Sequence, residues 1–76
     1  MFEVKVIAPV TTTVYTRKID MPFIPITGMS IFGIGVDDRI IQQVNWDYDT
    51  NSFSAVLVDS NWEPDFIESW EKEEQL

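Results

Sequence analysis

Three oxygen-bearing side chains alternate along Asp47-x-Asp49-x-Asn51, the spacing with which a calcium-binding loop begins. The match goes no further. Ser52 stands where such a loop needs glycine, Val58 where it needs a closing glutamate, and the flanking patterns are those of strands. Asp and Asn also build turns by hydrogen-bonding their own backbone. A hairpin loop of about four or five residues, with Asn51 near the left-handed region, therefore accounts for all three. No metal and no cofactor is expected.

Paired carboxylates could instead act as general acid and base, which requires two of them across a cleft with pKa values pushed apart. The chain has 13 Asp and Glu but no His and no Cys, so it lacks the commonest proton shuttle at neutral pH and any thiol nucleophile. No Ser or Lys stands in a recognisable nucleophile context. The expectation is that this is not an enzyme. Gly33-x-Gly35 lacks the third glycine of a dinucleotide loop, and no Gly-Lys-Ser/Thr occurs, so no phosphate-binding loop is read there. Arg17-Lys18 beside Tyr15 comes nearest to a nucleic-acid footprint. Two cations on a chain of net charge -8 displace few counterions, and direct nucleic-acid binding is not expected.

That charge is unevenly placed. Residues 1–46 carry four acidic and four basic side chains, whereas residues 47–76 carry nine acids against Lys72 alone and so hold the whole -8. Such a field repels nucleic acid and anionic membrane and attracts basic surfaces. Asp47, Asp49, Glu63, Asp65, Glu68 and Glu71 are therefore the expected partner-binding set, an acidic C-terminal face for the basic surface of another protein. In its sharpest form the expectation is a small inhibitor encoded by a phage or mobile element, occupying a nucleic-acid-binding groove by mimicry. The plainer reading of the same acids is solubility. The alternative is a structural or accessory subunit of an assembly, in contact through apolar residues such as Phe23, Ile24 and Ile26, and a homo-oligomer fits that reading too. No stretch approaches the roughly 20 apolar residues of a membrane helix. The alternation from Met1 to Lys5 shows no basic-then-apolar leader, so a cytoplasmic protein is expected.

These groups need a scaffold, and the clearest periodicity lies between Ile40 and Val58. Ile40, Val44, Trp46 and Tyr48 predict one strand face, Gln43, Asn45 and Asp47 the other, and Phe53, Ala55 and Leu57 answer the first set after the turn. Cross-strand pairs of this kind contribute roughly 0.2–1 kcal/mol each. Phe2, Val4, Val6 and Ala8 predict a first strand, stopped by Pro9, which has no N–H to donate. The run 11–19 is rich in β-formers and reads as a second strand, antiparallel to the first through a turn near Pro9-Val10. Arg17-Lys18 mark it as a solvated edge. With Pro22 and Pro25, the segment 20–28 reads as an extended crossover packed on the core. The run 29–35 reads as a strand loosened by Gly33 and Gly35.

Near the C-terminal end, Pro64 suits the first position of a helix, and Asp65 and Glu68 suit its positive end. Trp62, Phe66 and Trp70 recur every four residues as an apolar stripe with Ile67 beside them, and Glu63, Asp65, Glu68, Glu71 and Glu73 fall on the solvated face. A chain of 76 residues is read as a single domain, 1–76, that buries about 60% of its surface. The expected fold is β-rich α+β, with about five antiparallel strands near 2–8, 11–19, 29–35, 39–48 and 52–58 and one C-terminal helix near 64–73. The sheet is expected to be small and curled, or an SH3-like partly open barrel.

Overall fold

The computed structural model describes residues 1–36, 38–65 and 67–74, with Ile67, Glu73 and Glu74 described by backbone only. Six strands, β1 (Phe2–Val10), β2 (Thr13–Met21), β3 (Ser30–Ile31), β4 (Arg39–Asp47), β5 (Ser52–Leu57) and β6 (Glu71–Glu74), build one sheet in the order β3-β4-β5-β1-β2-β6. It curls into a half-barrel. The sheet is mixed rather than all antiparallel, because β5 runs parallel to β1. Central burial of Val4 and Val6 requires a partner on the far side of β1 from β2. β5 supplies it, with Phe53 opposite Val4 and Ala55 opposite Val6.

The first strand has the expected face: Val4, Val6 and Ala8 are fully buried. It does not stop at Pro9. Val10↔Thr13 closes a two-residue turn at Thr11 and Thr12, with Thr11 at a φ of 53°. A closing pair exchanges hydrogen bonds, so the next pair, Pro9↔Val14, points its backbone groups away from the partner strand. The missing N–H therefore costs the β1–β2 ladder nothing, and the Pro9 carbonyl accepts the Ser60 amide at 3.3 Å.

Over its first half β2 is not the expected edge. β6 pairs antiparallel with Thr13–Thr16, and Val14, Tyr15 and Thr16 are buried in succession. The stretch 22–29 is a crossover, as expected, carrying the chain from the β2 side of the sheet to β3 on the far side, but Asp20 and Met21 still belong to β2. The segment is not packed on the core: Phe23, Ile24 and Ile26 are exposed and only Pro25 is buried. Its end is tied to β4 by the Gly28 amide on the Ile41 carbonyl and the Ile41 amide on the Met29 carbonyl, both at 2.8 Å. The strand expected over 29–35 shrinks to Ser30–Ile31. Gly33 and Gly35 have φ of 86° and 96°, conformations that cannot continue a ladder.

In the β4–β5 hairpin, a register shift between Ile41 and Gln43 moves the first turn of the pattern by one residue. Ile41 is fully buried opposite Leu57 and Ile40 is 44% exposed, the reverse of strict alternation. Beyond the bulge the expected pairs hold: Val44 faces Ala55 and Trp46 faces Phe53.

The expected C-terminal helix is absent from the described residues. One 3-10 turn, Ile67–Ser69, leads directly into β6. Trp62 is 80% exposed and Trp70 is buried, so these two members of the proposed stripe do not share a docked face. Phe66, and the side chains of Ile67 and Glu73, fall outside the described residues. The free backbone edge of β2 outweighs the local helical preference of Glu-Lys-Glu-Glu, because each ladder bond satisfies a polar group that would otherwise lack a partner. Asp65, expected at the positive end of that helix, instead bonds the Gly35 carbonyl through its amide at 2.7 Å. Among the described residues no helix is long and apolar enough to cross a membrane.

Candidate functional site

Arg39 opens β4, opposite Ile31, at the end of the sheet where the chain leaves β5. Its side chain is only 7% exposed. Nη2 donates to the Trp62 carbonyl at 2.6 Å, while Nη1 is buried without a hydrogen-bond partner among the described residues. Burial pushes the guanidinium pKa down, and the charge of Asp59 partly restores it. That bond ties the β5–β6 connection to β4, together with the Val58 amide on the Ile40 carbonyl at 3.0 Å. Trp62 is steadied further by its own amide, which donates to Ser60 Oγ at 3.0 Å.

Around Arg39 lies an open recess of about 500 Å³, whose other charged lining residues are Asp38, Asp59, Glu63 and Asp65, with Trp62 also in its wall. Four carboxylates around one buried guanidinium leave the recess net negative. Glu63 also acts on the Tyr15 phenol through its charge. Burial first, then the Glu63 charge and a hydrogen bond to it, raise the Tyr15 pKa above the ordinary value.

The six acids expected to form one face are divided. Glu63 and Asp65 line this recess. Asp47 and Asp49 sit at the β4–β5 turn, at the other end of a nine-residue strand from Arg39, roughly 25 Å away at a β rise. There, Asp47 Oδ1 accepts the Asp49 amide at 2.8 Å and Asn51 takes a φ of 51°, as expected of a turn. Glu68 is exposed on the 3-10 turn. Glu71 lies opposite Thr16 and lines a second recess of about 390 Å³ with Lys5, Thr16, Arg17, Lys18 and Ser69.

Asp38, Arg39, Asp59 and Trp62 were not among the expected site residues. Arg39 and Trp62 are 23 residues apart, and no periodicity reports that they meet. The available signal was Arg39 itself, one of five cations in the chain, followed directly by Ile40-Ile41.

A row of aromatics occupies the opposite end of the sheet. Trp46 stands edge-on to Phe53 at 4.9 Å between ring centroids, Phe2 to Phe53 at 6.0 Å, and Trp46 to Tyr48 at 6.1 Å. Neither protein-family models, nor curated proteins, nor solved structures offer a match to this chain.

Proposed function

We propose that this protein is a non-enzymatic interaction module that binds a basic surface on another protein through the acidic recess around Arg39. One observation carries the reading: Trp62, 80% exposed, stands in the wall of a recess lined by Asp38, Asp59, Glu63 and Asp65. Exposed Trp is the side chain most enriched among binding hot spots, and its face attracts a Lys or Arg head group that nearby carboxylates can neutralise. Asp47 and Asp49 extend the negative field to the far end without joining the contact. In the sharpest form of the proposal the partner surface is a nucleic-acid-binding groove, the carboxylates take its phosphate sites, and the protein acts as an inhibitor.

Capture of a partner from the source cell tests this in three arms. Asp59→Lys with Glu63→Lys is expected to abolish capture, while Asp47→Lys with Asp49→Lys leaves most of it. Wild-type capture is expected to weaken steeply from low to moderate salt. Competition by double-stranded DNA tests the groove. Capture that is indifferent to reversal of Asp59 and Glu63 sinks the proposal.

The exposure of Phe23, Ile24 and Ile26 on the crossover favours a second reading, an assembly subunit in apolar contact with its neighbours. A salt-insensitive oligomer on gel filtration that dissociates on Ile26→Asp supports that reading.

A further inference from the structure

The chain has five cations, and three of them, Lys5, Arg17 and Lys18, line the second recess. The ladder sets this up. Lys5 and Lys18 are direct partners in β1–β2, so two ammonium stems start within about 5 Å of each other on one face of the sheet. Directly opposed like charges destabilise a sheet, and the next pair on the same face, Glu3↔Asp20, repeats the conflict with the opposite sign. Diagonal attraction between the two rungs relieves part of it, and Glu71 approaches from the β6 side. Arg17 enters the lining from the strand, but alternation turns its guanidinium to the opposite face with Val6, so the recess carries two ammonium groups against one carboxylate.

Hydroxyls and backbone complete the donor set. Thr16 and Ser69 contribute to the same recess. β6 begins at Glu71 opposite Thr16, so the β2 edge beyond Thr16 has no ladder partner. Strand alternation turns the Lys18 amide, like that of Thr16, toward this open edge. Arg17 is held from the other side, with Nη1 donating to the Ile34 carbonyl at 3.2 Å.

We propose that the recess between β2 and the 3-10 turn is a binding site for a small dianionic oxyanion, a phosphate or phosphate monoester, held by Lys5, Lys18 and the Lys18 amide. A tetrahedral dianion accepts several charge-assisted hydrogen bonds at once and removes the Lys5–Lys18 repulsion on binding. The site is separate from the acidic recess and stands or falls independently of it.

The test is a titration of isotope-labelled protein with inorganic phosphate, followed by amide shifts, with sodium chloride at matched ionic strength as the reference. Saturable shifts confined to Thr16, Lys18 and Ser69 are expected. Lys5→Gln and Lys18→Gln are each expected to weaken binding roughly fivefold, the value of about 1 kcal/mol for a partly exposed charge contact. Lys72→Gln, in the β6 position opposite Tyr15 and outside the recess, is expected to leave it unchanged. Removing a lysine relieves repulsion, so both variants are expected to stay folded. Glycerol phosphate in a parallel arm separates the sources: tighter binding than phosphate identifies an ester, weaker binding the free anion. Linear shifts matched by chloride, or equal loss with Lys72→Gln, would mean an adventitious ion atmosphere only and overturn the proposal.

Discussion

Gly35 accepts the Asp65 amide on its carbonyl at 2.7 Å and lies so close that a side chain at position 35 would run into the Asp65 carbonyl and crowd Trp70 Nε1. This contact fastens the β5–β6 connection to the segment after β3, and the acidic recess is lined from both. Gly35 also has a φ of 96°, which disfavours any side chain. Gly35→Ala is expected to cost about 2–4 kcal/mol. Gly33 has a φ of 86° but open space around it, so Gly33→Ala is expected to cost about 1 kcal/mol from backbone strain alone. Urea denaturation of both measures the difference, and equal losses would show that the Asp65 contact contributes nothing.

The bulge in β4 makes two neighbouring isoleucines unequal. Ile41→Ala removes a fully buried side chain opposite Leu57 and is expected to lose about 2–5 kcal/mol. Ile40→Ala is expected to lose less than about 1 kcal/mol, since its side chain is half solvated already. The reverse ranking in thermal or urea unfolding would place the bulge elsewhere.

Trp46 and Phe53 are paired both by the ladder and by ring geometry. A double-mutant cycle with Trp46→Leu and Phe53→Leu is expected to give a coupling of about 0.5–1.5 kcal/mol. A coupling near zero would assign the contact to area burial alone.

Burial and Glu63 hold the Tyr15 phenol protonated beyond its ordinary range. With its pKa raised in the folded state, the unfolded chain releases this proton first. The contribution is whole below about pH 10 and is lost as pH rises through the folded value. Tyr15→Phe is therefore expected to flatten the alkaline decline in unfolding free energy. Glu63→Gln is expected to bring the phenolate absorbance of Tyr15 in at lower pH.

What the order of residues determined by itself is local. The inward face Val4-Val6-Ala8, the hairpin turn with Asn51 left-handed and the proline crossover all follow from dihedral preferences and side-chain period within a few residues. The tertiary structure decided what depends on pairing. A one-residue bulge put Ile41 inward in place of Ile40. The open edge of β2 drew Glu71–Glu74 into a strand, against a helical pattern that rested on three aromatics. Register set Lys5 against Lys18, and bonds from Arg39 to the Trp62 carbonyl and from the Asp65 amide to the Gly35 carbonyl gathered carboxylates from distant segments around one recess. Those outcomes follow from which backbone groups find partners across the chain, a competition between topologies that no local period records.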